Sequence, residues 1–174
     1  AIALIAAPTL LLLNQALAAV TVEIDPLPVV LTITDALKGD VTIWGEDNIL
    51  ASYTINKGNL DDGFASADHI VENVFRTGHQ EHLYLEPNRC LAVPRPGGGI
   101  EIIGSLQCPY YVHAALVTGL AVDFDQVVVR QAPTGGAFGG KEDFPSVLAL
   151  HASILALAAG HPVKIIYERP EDIC

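Results

Sequence analysis

Thr134-Gly135-Gly136-Ala137-Phe138-Gly139-Gly140-Lys141-Glu142 joins a compact β-branched run, Gln126 to Arg130, to an apolar stretch from Glu142 to Ala159 that stops at Gly160. A strand passing through a glycine-rich turn into a helix is the building unit of an α/β protein. In such a turn backbone amides converge, glycines allow close approach, and an anion or a polarised oxygen finds donors. Glu142 and Asp143 should lie in the first turn of the helix, where its dipole favours negative charge. The alternative is a tight connection that holds nothing. Phe138 argues against that, because a large ring amid four glycines gains little unless it packs on something.

Gly135, four residues, then Gly140-Lys141 also matches a phosphate-binding loop up to its last position, where Glu142 replaces the hydroxyl residue. The replacement removes the magnesium ligand and sets a carboxylate beside the phosphates. A nucleotide-binding module is therefore the weaker reading of this loop.

Working outward, Pro162 to Tyr167 returns as a strand, and Pro109 to Val122 carries Val112, Leu116 and Leu120 at helical spacing with Pro109 in the first turn. Alternation in Ile100 to Ile103 and in His69 to Arg76, with a turn at Pro94 to Gly99, suggests a β-ribbon or meander. The apolar opening divides into a strand (Ala1 to Ala6), a helix (Thr9 to Ala19) and a strand (Val20 to Ile24). Ala16-Leu17-Ala18 imitates a signal-peptide cleavage site, but no basic segment precedes it and Pro8, Asn14 and Gln15 interrupt the run. Buried β-α-β is favoured over a signal or membrane segment. After the Pro26-Leu27-Pro28 kink, Val29 to Ile33 should be extended and lead into a short helix capped by Thr34 or Asp35. Turn signals at Lys38-Gly39-Asp40, Asp47-Asn48 and Asn56 to Asn59 place a boundary near Lys57, giving units 1–57 and 58–174.

At 174 residues, with 51% hydrophobic and 17% charged residues, the chain should fold as a mixed α/β protein. Its net charge of −11 repels phosphate backbones and anionic lipid, so neither nucleic acid nor a membrane is an expected partner. Cys90, Cys108 and Cys174 form no Cys-x-x-Cys pair and leave an odd thiol, which suits a reducing compartment, the cytoplasm, and writes no disulfide framework or iron-sulfur site. A start at Ala1 and the lack of methionine suggest a piece of a longer chain. His79-Gln80-Glu81-His82 invites a metal reading, yet in an extended run residues three apart face opposite ways, and the i, i+4 histidine pair of a zinc helix is absent.

Arg76-Thr77-Gly78-His79-Gln80-Glu81-His82-Leu83-Tyr84-Leu85-Glu86-Pro87, then Gly104-Ser105-Leu106-Gln107, then Gly135 to Glu142, resemble in order and spacing the successive motifs of the xanthine dehydrogenase and aldehyde oxidase family. Residues 1 to 64 resemble the end of that family's α/β hammerhead domain. The resemblance implies a partial hammerhead (1–57) followed by the first part of a mixed-sheet molybdopterin-binding domain (58–174). It implies a molybdenum-molybdopterin cofactor held through the pterin rather than by side chains, with no direct protein ligand to the metal. Iron-sulfur clusters, and in some members FAD, would sit in other domains or subunits.

The same resemblance assigns roles. Gln107 matches the glutamine whose amide hydrogen-bonds the apical oxo group. Phe138 and Gly139 match the turn beside the metal centre, Phe138 also lining the substrate pocket. Glu142 matches the glutamate that hydrogen-bonds the heterocycle in purine-oxidising members. The implied activity is hydroxylation of a purine, a related N-heterocycle or an aldehyde with water-derived oxygen, electrons leaving through iron-sulfur clusters. The family's general base and glutamine-rich pterin motif have no counterpart here, so the chain is expected to be inactive without the remainder of the catalytic subunit and its iron-sulfur and flavin partners. The alternative is a non-catalytic, partner-binding domain of the same fold. Cys108-Pro109-Tyr110-Tyr111 departs from the more polar stretch expected of xanthine dehydrogenases, leaving the substrate open. Cys108 itself reads as a buried structural thiol or, second, a reactive one.

Overall fold

The computed structural model describes residues 1–173 and resolves the chain into two compact units, one built from Ala1–Val20 and Gly78–Cys174, the other from Thr21–Thr77.

The first unit holds a four-stranded mixed sheet in the order β3-β2-β1-β4, where β1 is Arg89–Pro94, β2 Ile100–Gly104, β3 Val127–Gln131 and β4 Val163–Ile166. β1 and β2 form an antiparallel hairpin, Leu91 opposite Ile103, closed where Arg95 N–H donates to Gly99 C=O at 2.7 Å. β4 pairs antiparallel with the other edge of β1. β2 and β3 are parallel, Ile102 opposite Val129, which requires a crossover. The helix Pro109–Leu120 lies in that crossover. The α/β expectation is met, and the strands expected near 100–103, 126–130 and 162–167 lie where their β-branched runs stand.

Counting helices from the N-terminus, α1 is Leu10–Ala19, α2 Ile33–Lys38, α3 Leu60–Ala65, α4 Pro109–Leu120, α5 Phe144–Ala159 and α6 Arg169–Ile173. One face of the sheet (Cys90, Ala92, Ile100, Ile102, Val127) is covered by Val112 and Leu116 of α4 and by Leu148, Ala149, Ala152 and Ala156 of α5. The inward alanines let α5 lie close on β1. Burying Leu116 and Leu148 contributes roughly 1.5–3 kcal/mol each. Ala121, in the left-handed region at φ 53°, ends α4, and Gly160, at φ 65°, ends α5.

The second unit contains α2 and α3. Thr32, not Thr34 or Asp35, caps α2, its Oγ1 accepting from Asp35 N–H at 3.1 Å. A threonine three residues before Asp35 reaches the free amide, whereas Thr34 and Asp35 are already inside the helix. Helix α3 begins directly after the turn signal at Asn56 to Asn59; Asn59 starts it by accepting from Asp61 and Asp62 N–H. Asn48, at φ 63°, ties the intervening loop. Its Oδ1 accepts from Ile43 and Trp44 N–H, and its Nδ2 donates to Ala36 and Val41 C=O.

Ala1–Ala6, Val20–Ile24, Val29–Ile33 and His69–Arg76, expected as strands, are unpaired chain, apart from the Ile33 that opens α2. Alternation and β-branching report an extended, apolar run, but a strand also needs a partner edge for its amides and carbonyls. Leu31 (84% exposed) and Val71 (90%) have none among the described residues. Helix α1 spans ten residues, capped by Thr9, and among the described residues no helix is long and apolar enough to cross a membrane.

Candidate functional site

Because β2 and β3 are parallel, their C-terminal ends lie side by side and the loops that leave them emerge at the same edge. One loop is Ser105-Leu106-Gln107, leading into α4; the other is the glycine turn, leading into α5. Two bonds hold the exits together: Ala132 N–H donates to Gly104 C=O at 2.8 Å and Gln131 Nε2 to Leu106 C=O at 2.6 Å. Leu106 is buried beneath them.

Gln107 is clamped by the turn. Its backbone N–H donates to Lys141 C=O at 2.7 Å. Its side-chain Oε1 accepts from Gly139 N–H at 3.0 Å and Lys141 N–H at 3.2 Å. Two backbone donors settle which end of the carboxamide is oxygen, so the Nε2 end faces away with both protons unspent. Gly139 sits at φ +107°, a conformation closed to residues with a side chain. Phe138 adopts φ 54°, a strained value for an aromatic residue, and its ring is 77% exposed.

Glu142 and Asp143 precede α5, which begins at Phe144, so neither is in the first helical turn. Asp143 is the N-cap and Pro145 falls in the first turn, where its missing N–H has no helical partner to lose. Glu142 is exposed. Partial burial pushes the Cys108 thiol above its ordinary value, and the charges of Glu142 and Asp143 push it further the same way. A thiol held protonated is a poor nucleophile, which favours the structural reading of Cys108.

The floor of the turn is the segment 82–86. It is not a strand, and Leu83 stands at φ 47°, yet His82, Tyr84 and Glu86 face the glycines while Leu83 (62% exposed) and Leu85 (91%) face out. A Cβ on Gly140 would overlap the Tyr84 ring. Glu86 Oε2 accepts from Gly135 N–H at 2.7 Å, Ser105 Oγ at 2.6 Å and Lys141 Nζ at 3.1 Å, and Oε1 pairs with Arg89. Lys141 is fully buried, its ammonium also on Ser105 Oγ at 3.0 Å and over the Tyr84 ring at 4.7 Å. Burial draws its pKa below the ordinary lysine value. An ammonium turned inward cannot cradle phosphate, which removes the nucleotide reading. Tyr84 itself, buried and near the Asp172 carboxylate, is pushed up to about 12. His79 and His82 join no cluster; among the described residues no three His, Cys, Asp or Glu side chains could hold a metal ion.

Gln107 and Gly139 are thus brought together, with Phe138 adjoining. Glu86 and Ser105 lie inside the motifs without an expected role, and Lys141 enters only as the lysine of the phosphate-loop reading. No sequence signal announces their cluster, because it joins segments up to 55 residues apart.

Residues 44–174 match the molybdopterin cofactor-binding domain. The chain belongs to that family. This molybdopterin-binding domain is 32% identical over 154 residues to xanthine dehydrogenase of Dictyostelium discoideum, covering 88% of the chain and 11% of that protein. It is 33% identical over 173 residues to the nicotinate dehydrogenase large molybdopterin subunit of Eubacterium barkeri, covering 99% of the chain and 40% of the relative. The solved aldehyde oxidoreductase of Desulfovibrio gigas superposes with a TM-score of 0.71 at 26% identity, over 89% of this chain and 17% of that one. The chain therefore spans only about a tenth of the xanthine dehydrogenase it matches. The family's cofactor is molybdopterin, and the site's chemistry fits such a group: outward amide protons on a rigidly held carboxamide, and a turn kept thin by glycine.

Proposed function

We propose that this domain supplies one wall of the active site of a molybdenum hydroxylase that oxidises a purine, a related N-heterocycle or an aldehyde. Relatives named for xanthine, nicotinate and aldehyde support that substrate class. The observation that carries the reading is the clamp on Gln107, which spends the carboxamide oxygen on Gly139 and Lys141 and leaves the donors outward. Bound molybdopterin supplies the metal centre that takes up the substrate's electron pair.

Gln107 orients the cofactor by donating to an oxygen on it, adding no charge of its own. Gly139 acts through its amide, which fixes Gln107, and through the close approach its missing side chain allows. Phe138 offers an exposed ring for a flat substrate to lie against. Glu142, exposed at the end of the same turn, accepts a hydrogen bond from the N–H of a heterocycle. The general base, the iron-sulfur clusters and a flavin belong to the remainder of the subunit and to partner subunits, and residues 1–57 form the end of a hammerhead domain. Free Cys90 and Cys108 suit a cytoplasmic setting.

The test is Gln107→Ala in the complete enzyme. Turnover per molybdenum should fall about 10–100-fold while molybdenum and pterin content stay level. Near-normal turnover would overturn the role given to Gln107.

A further inference from the structure

Lys141, fully buried, and Glu86, partly buried, form an ion pair 55 residues apart in sequence. Ion pairs so placed cost desolvation and do little for stability compared with apolar packing. This pair differs from a simple structural tie in what its partners are. Lys141 is the residue whose backbone grips Gln107 on both sides, N–H to Oε1 and C=O to the Gln107 amide. Its side chain is fixed by Glu86 and Ser105. The same Glu86 carboxylate takes Gly135 N–H, so one oxygen, Oε2, holds the first and last residues of the glycine turn. Its own backbone N–H donates to Gly135 C=O at 3.2 Å.

We infer that Glu86, through Lys141 and Ser105, is a positioning residue that sets the direction of the Gln107 carboxamide. It touches neither substrate nor cofactor. Loss of its charge frees the turn at both ends, and Gln107 keeps its place in sequence but loses its aim. The inference rests on the role proposed for Gln107, and its test separates the two.

In the complete enzyme, Glu86→Gln, Gln107→Ala and the double variant are compared as a cycle. Glu86→Gln should lower kcat per molybdenum about tenfold with KM nearly unchanged. In the Gln107→Ala background the same change should cost less than about twofold, because the residue being aimed is gone. Amide exchange in a peptide spanning 133–143 should be at least about tenfold faster in Glu86→Gln, independent of activity. Equal kcat losses in both backgrounds, or unchanged exchange, would overturn the inference. If Gln107→Ala alone proves harmless, the proposed function of Gln107 falls, while the exchange result still decides whether Glu86 orders the turn. Should Glu86→Gln not fold, Ser105→Ala enters the same cycle. It removes the hydroxyl between carboxylate and ammonium and should show the same background dependence at about threefold in kcat; equal cost in both backgrounds would again be fatal.

Discussion

At the scale of single residues, the role proposed for Glu142 would separate substrate choice from chemistry. Exposed and outside the clamp, it can be changed without disturbing Gln107. Glu142→Ala in the complete enzyme should reduce kcat/KM for a purine about 10–100-fold, the worth of a hydrogen bond to a charged group, and leave a simple aldehyde within about threefold. Equal losses on both would remove it from recognition. Cys90, by contrast, is a matter of stability. Burial pushes its thiol from 9.0 up to about 12. The folded protein keeps the proton that the unfolded chain releases, so this contribution is whole below pH 9 and declines as pH rises toward 12. Tyr84, raised from 10.0 to about 12, acts in the same direction. Cys90→Ala should flatten part of the fall in urea midpoint across that range; an unchanged slope would assign it elsewhere. Legibility differs among these residues. Gln107 and Gly139 stood out as motif members, and the structure brings them into contact. Glu86 reads as an ordinary charge and Lys141 as the lysine of an incomplete phosphate loop, because nothing local announces an ion pair between residues 55 apart.

At the scale of elements, the same contrast has a plain cause. β2, α4, β3, α5 and β4 each bury a face within this chain, so period and burial agree. The runs at 1–6, 20–24, 29–33 and 69–76 have the composition of strands without an edge to pair with among the described residues. Periodicity describes one chain segment; pairing takes two. Where α5 meets β1, contact depends on small side chains, and Ala152 is fully buried. Ala152→Leu should destabilise by about 1–3 kcal/mol through overpacking, read as a lower urea midpoint with unchanged m. A variant as stable as the parent would mean that α5 shifts freely on the sheet.

At the scale of the molecule, stability should be unevenly spread. The unit carrying the sheet contains every buried side chain of the described residues, and Thr21–Thr77 contains none. Amide exchange of the isolated chain should be slowest in β1, β2 and α5 and fastest across Thr21–Thr77, where few apolar contacts oppose opening. Comparable protection in both would show that the second unit has a stability of its own.

The seven residues from Gly135 to Lys141 leave a single carboxylate oxygen and return to it. That fixes the chord of the loop while saying little about its middle. Exchanges at the exposed Phe138 alter what the loop displays; an insertion or deletion of one residue would leave Glu86 able to reach one end but not the other. Length, together with the glycines at 135, 139 and 140, is what a sequence designer would have to preserve in this loop.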